Sequence, residues 1–148
     1  MPFHFSLQAV LHFRQSVEHQ EELRQRTANQ QVARVRRVME LADERIRREQ
    51  EMRSVELQAG TTSAEVRFSV AAQDALRAQR QKLEAELQRL QILRDQQQRI
   101  FQQARRERDV IQSLRDRQIL EYKRESARRE QQRADELFLL RQSYLRHG

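Results

Sequence analysis

A chain of 148 residues is long enough for one ordinary domain, yet it holds only two glycines and one proline, placed at Gly60, Gly148 and Pro2. About a third of its residues are charged and only 5% are aromatic, a composition that excludes a turn-rich compact fold and suits long helices. The absence of cysteine excludes a disulfide framework and thiolate metal sites, and no stretch reaches the roughly 18 uninterrupted apolar residues of a membrane span. The formal charge of +7 comes almost wholly from arginine, since Lys82 and Lys123 are the only lysines. Nucleic acid or an acidic protein would both answer such a charge. The arginine doublets at 36–37, 47–48, 105–106 and 128–129 are interrupted by acids and have no aromatic interleaving, which argues against nucleic acid.

In chain order, Phe3, Phe5 and Leu7 alternate and then give way to a helical pattern. Ser6 reads as the N-cap, with Phe5 and Val10 as a hydrophobic staple, so the alternation marks an extended lead-in rather than a strand. A first helix is expected over about 6–59. Its seam passes through Leu7, Val10 and Val17, then through polar Glu21 and Arg24. A stutter-like change of phase follows at Ala28, before Val32, Val35, Met39, Ala42 and Ile46.

The segment QAGTTSAEV predicts a turn at about 60–62. Gly60 fits the left-handed position beyond a helix end, and Thr62 with Glu65 forms a capping box. A second, longer helix is expected over about 63–146, with a seam of Leu76, Leu83, Leu90, Gln97, Ala104 and Ile111, joined by Ala72, Leu93, Ile100 and Leu114. At about 1.5 Å per residue the helices would measure roughly 80 Å and roughly 125 Å, so the second overshoots the first. Folding back about Thr61 brings Ile46 beside Leu76, Ala28 near Leu93, Val10 near Ile111 and Leu7 near Leu114, apolar meeting apolar. The fold class is therefore all-α: an antiparallel coiled-coil hairpin forming one domain, 1–148.

Polar pairs at a spacing of four, namely Glu22/Arg26, Asp43/Arg47, Glu44/Arg48, Glu49/Arg53, Asp95/Arg99 and Glu125/Arg129, favour solvated helix faces. In the same register Arg14, Glu21 and Arg24 fall near Gln97, Phe101 and Glu107, a polar layer that reads as a register device or a loosely packed stretch. No glycine-rich phosphate loop exists. His12 and His19 stand about two turns apart, too far to share a metal. A two-helix hairpin offers no dry concave pocket, so no catalytic, cofactor-binding or metal residues are expected, and no small-molecule substrate. Recognition by a long amphipathic shape remains.

The N-terminal run Phe3-x-Phe5-x-Leu7-x-x-Val10-Leu11-x-x-Arg14 resembles the start of the flagellar export protein FliJ family of type III secretion, F-x-F-x-L-x-x-[LV]-L-x-x-R. Asp116-Arg117-Gln118 and Gln131-Gln132-Arg133-Ala134-Asp135-Glu136 are similar to its C-terminal region, as are the length and hairpin plan. The resemblance implies a non-enzymatic, cytoplasmic coiled coil, peripherally associated with the inner membrane at the export apparatus and similar to the stalk subunit of rotary ATPases. It implies three partners: the hexameric export ATPase, which the protein would bind and stimulate; the cytoplasmic domain of the export gate; and export chaperones, through a general export-chaperone role. The implied ATPase-facing set is Phe3, Phe5, Leu7, Leu11, Arg14, Asp135, Glu136 and Arg141, although Phe3, Phe5 and Leu7 also suit local packing against Ile119 and Tyr122. The implied gate-facing set is Phe68, Ala72, Leu76, Gln79 and Leu83; of these Ala72, Leu76 and Leu83 are also seam positions. A monomer is expected when the protein is free. The alternatives are a generic structural coiled-coil scaffold or a homodimeric rod joined through Leu137, Phe138, Leu140, Tyr144 and Leu145, and a basic coiled coil that binds nucleic acid.

Overall fold

The computed structural model describes residues 2–147. They form two helices, α1 (Gln8–Ala59, 52 residues) and α2 (Ser63–His147, 85 residues), with no strand among the described residues. The fold is the expected all-α helical hairpin with the longer helix second. Its corner is built as the sequence dictates. Gly60 takes φ +87°, the left-handed region that costs a Cβ-bearing residue about 1–2 kcal/mol. The Thr62 hydroxyl accepts the Glu65 N–H at 3.3 Å and the Thr62 carbonyl accepts the Val66 N–H at 3.1 Å, which caps the start of α2. The reciprocal half of the capping box, a bond from the Glu65 side chain back to Thr62, is not among the hydrogen bonds of the described residues.

The start of α1 differs from expectation by one residue. Residues 6 and 7 form a turn, closed by the Gln8 N–H donating to the Phe5 carbonyl at 3.1 Å. The Leu7 carbonyl then accepts the Leu11 N–H at 2.9 Å, the bond of a cap residue, so Leu7 and not Ser6 occupies the N-cap position. The shift exchanges the inward residue: Leu11 is only 2% exposed, whereas Val10, expected on the seam, is 38% exposed.

The chain divides into two compact units. The first joins Met1–Glu18 to Gln103–Gly148. Its core holds Phe5, Leu11 and Ala104, and Phe3 lies against Tyr122 with ring centroids 5.6 Å apart and planes tilted by 57°. The hydrogen bond of Arg115 Nε to Gln8 Oε1 at 3.2 Å and the ion pair of Arg14 with Glu107 at 2.6 Å bracket the expected pairing of Val10 with Ile111 and Leu7 with Leu114.

The second unit, His19–Gln102, is centred on Val32 and Leu90. The Arg80–Asp43 ion pair at 2.5 Å and the Arg53–Gln73 hydrogen bond at 2.7 Å bracket the expected neighbours Ile46 and Leu76. Within this unit the inward positions of α1 run Glu21, Gln25, Ala28, Val32, Val35, Met39, Ala42 and Ile46 in steps of four and three, so no stutter occurs at Ala28. Arg24 stays on the outside and reaches back to Glu21. On α2 the inward partners of Leu83, Leu90 and Gln97 are Leu87, Arg94 and Phe101, while Leu93 and Ile100 are exposed. The physical reason is the same in each case. Long side chains hold these seam positions, the polar ones with their stems covered and, apart from the Gln25 oxygen, their heads in hydrogen bonds, which leaves nearby apolar residues such as Leu93 and Ile100 on the open faces.

Candidate partner-binding surfaces

The polar layer expected around Glu21 is present. Glu21 is buried, and its carboxylate accepts from Gln97 Nε2 at 2.6 Å and from Arg24 Nη1 at 2.7 Å. Gln97 Nε2 also reaches the Glu21 carbonyl at 3.3 Å. A buried carboxylate is tolerable because these donors replace its lost hydration. In the first unit Arg14 holds Glu107, and Arg108, only about a fifth exposed, forms a hydrogen-bonded ion pair with Glu18. That hydrogen bond raises the Arg108 pKa above its ordinary value, and the hydrogen bond and charge of Asp43 do the same for Arg80. The spacing-of-four pairs at Glu22/Arg26 and Glu125/Arg129 form at 2.9 and 3.0 Å. Glu44 and Arg48 approach to 4.0 Å. By contrast, Asp43 turns to Arg80, Arg53 to Gln73 and Asp95 to Arg94, since a partner across the seam or beside it competes with the one a turn away. The contacts that cross between the helices lock the pair within each unit, and Arg24 and Gln97 of the Glu21 layer also line a shallow open depression with Leu23, Ala28, Leu93 and Ile100.

Among the described residues no group of His, Asp or Glu is placed to hold a metal ion, and no helix is long and apolar enough to cross a membrane.

The residues of the N-terminal motif are used inside the first unit. Phe5 and Leu11 are buried, Phe3 and Leu7 are half-buried, and Arg14 is half-buried in its ion pair. Asp135, Glu136 and Arg141 belong to the same unit but are open to solvent, Asp135 accepting only a hydrogen bond from Gln131 at 3.1 Å. The structure therefore sorts the eight residues into five that pack or pair at the beginning of the chain and three that stand free on α2.

Beyond Ser126 every described residue of α2 is exposed. This stretch carries four consecutive large apolar residues, Leu137 to Leu140, each about 60–66% exposed, followed by Tyr144 and Leu145 at 80% and 79%. The stretch thus carries six large apolar side chains on a helix that the rest of the described residues cover on no side. Leu139, which the sequence reading passes over although it continues the steps of seven from Leu76, is as open as its neighbours; that spacing and the run of four apolar residues were the signals for it.

The gate-facing candidates lie in the second unit and do not form one open face. Ala72, Leu76 and Leu83 are half-buried at inward positions. Gln79 is exposed, and Phe68 is 78% exposed beside the corner, at the edge of a shallow depression lined also by Ala64, Ala72 and Gly60.

The fold and surfaces define a class: an antiparallel helical hairpin whose longer helix continues as an uncovered amphipathic segment. Residues 3–147 match the sequence model of the family described as Flagellar FliJ protein, which spans nearly the whole chain. The chain belongs to that family and is a coiled-coil protein related to flagellar export. No curated protein and no solved structure matches it.

Proposed function

We propose that the protein is a non-enzymatic, stalk-like component of the flagellar type III export apparatus that binds and stimulates the hexameric export ATPase and links it to the cytoplasmic domain of the export gate. The observation that carries this reading is the C-terminal stretch of α2, uncovered from residue 127 and bearing Leu137–Leu140, Tyr144 and Leu145 beside Asp135, Glu136 and Arg141. A ring of ATPase subunits can enclose such a segment and bury its apolar side chains. Differential contact with each subunit conformation is then what biases the ATPase cycle. Phe3, Phe5, Leu7, Leu11 and Arg14 serve this role indirectly: by packing and pairing in the first unit they fix the base from which the segment projects.

For the gate, Phe68 and Gln79 are the accessible members of the candidate set, and Ala72, Leu76 and Leu83 support the helix that presents them. In this reading the protein acts in the cytoplasm at the inner membrane, assists export chaperones and contributes to flagellum biogenesis and motility. The test is co-purification with, and stimulation of, the cognate export ATPase under conditions where it forms hexamers; failure of both rejects the proposal.

The same apolar stretch favours a second reading, a homodimeric rod joined through Leu137, Phe138, Leu140, Tyr144 and Leu145. Light-scattering mass separates the two, a monomer supporting the stalk and a dimer at micromolar concentration supporting the rod.

A further inference from the structure

The solvent face of α1 in the second unit carries a feature that neither the hairpin nor the ATPase reading uses. Arg34, Arg37, Leu41, Arg45, Arg48 and Met52 follow one another in steps of three or four, which places them along one side of the helix. All six are exposed, and none occupies an inward position such as Val32, Val35, Met39 or Ile46. Among the described residues Arg34, Arg37 and Arg45 have no ion-pair partner, and Arg48 has only Glu44 at 4.0 Å. Elsewhere Arg14, Arg26, Arg80, Arg89 and Arg108 take a carboxylate, while others such as Arg99, Arg105 and Arg117 have no ion-pair partner among the described residues; what sets the stripe apart is the steady spacing of its guanidinium groups with exposed Leu41 and Met52. The stripe is a row of four exposed guanidinium groups, three of them without an ion-pair partner among the described residues, with two large apolar side chains set among them.

We propose that this stripe docks an acidic amphipathic helix of a partner protein, laid along α1 as an additional strand of the coiled coil. Three observations choose this occupant. First, the steps of three and four match the spacing at which a second helix presents its own side chains. Second, the arginines are interleaved with Leu41 and Met52 along one line of the helix, so insertion of those apolar side chains into a bilayer would bury charge. A carboxylate row instead meets each guanidinium fork with paired hydrogen bonds. Third, a second copy of this chain carries +7 and would be repelled from a cationic face. The proposal stands apart from the ATPase reading, because the stripe lies in the second unit and the uncovered end of α2 in the first.

The experiment uses the full chain and a synthetic helix of about four heptads carrying leucine and glutamate at alternating steps of three and four, measured by titration calorimetry. Binding is expected at low ionic strength. It should weaken about tenfold or more in the triple variant Arg34→Glu/Arg37→Glu/Arg45→Glu, and partly in the triple Arg→Gln variant, with the helical circular dichroism of both unchanged because these side chains are exposed. A control peptide with glutamine in place of glutamate should not bind. The proposal is overturned if the glutamate peptide does not bind, or binds the charge-reversed variant equally. It is overturned also if phosphatidylglycerol vesicles or duplex DNA bind through the same three arginines as tightly as the peptide does.

Discussion

Replacing Gln25 by leucine should make the protein more stable. Gln25 occupies an inward position of α1 between Glu21 and Ala28, and its Oε1 is buried without a hydrogen-bond partner. Its amide nitrogen reaches Asn29 Oδ1 only at 3.5 Å, a separation at which little is gained. An unsatisfied buried acceptor costs about 1–3 kcal/mol, so Gln25→Leu, of similar volume and without the stranded oxygen, should gain about 1–2 kcal/mol after small packing losses. For a chain of this size that corresponds to a rise in melting temperature of roughly 2–8 °C. Urea titration followed by helical circular dichroism measures it, with Gln25→Ala as the control. Alanine also removes the stranded oxygen but leaves a gap, and should gain less or nothing. A lower urea midpoint for the leucine variant than for the native protein would refute the reasoning, because it would mean that the Gln25 amide contributes to the polar layer.

Leu11→Ala removes a side chain that is 2% exposed and should cost about 2–5 kcal/mol, whereas Leu140→Ala, at an open position, should stay within about 0.5 kcal/mol; paired urea titrations compare them. Gly60→Ala meets no atom within 4 Å, so its cost is conformational alone, about 1–2 kcal/mol for holding a Cβ at φ +87°, and it should appear as a lower melting temperature without loss of helicity. The Glu86 carboxyl titrates below the ordinary glutamate range because Arg89 hydrogen-bonds its charged form, at 2.5 and 3.1 Å. Its folded-state value is depressed, so its contribution is fully present above the unfolded value near 4.3 and is lost as pH falls through the lowered value. Carboxyl chemical shifts in a pH titration should show this, and Arg89→Gln should bring the midpoint back up.

Much of the fold is legible in the sequence because the chain offers one corner and no other breaker. Gly60 and Thr62 locate the turn, and the steps of seven from Leu76 through Leu90 to Ile111 locate the inward face of α2. Less legible are the positions where the seam is polar. A reader following hydrophobicity selects Val10, Leu93 and Ile100, yet the helices turn inward Leu11, Arg14, Glu18, Gln25, Arg94 and Phe101. Most of the polar members are stabilised by a partner, Glu107 for Arg14, Arg108 for Glu18 and Asp95 for Arg94, whereas the Gln25 oxygen has none. The candidate surfaces divide in the same way. The N-terminal motif is conspicuous in sequence because its aromatic and leucine side chains build a local core, and the openness of residues 127–147 follows from the greater length of α2. The arginine stripe on α1 is hidden in the sequence among many other arginines, and it becomes visible only when the inward and outward positions of α1 are told apart.

The central claim, that the uncovered end of α2 engages the export ATPase, is tested most directly by the affinity of the full chain for the cognate hexamer with and without Leu137→Ser/Leu140→Ser/Leu145→Ser. All three positions are exposed, so the variant should keep its fold, and the account predicts at least about a tenfold loss of affinity together with loss of ATPase stimulation. Affinity and stimulation equal to those of the native chain would contradict it.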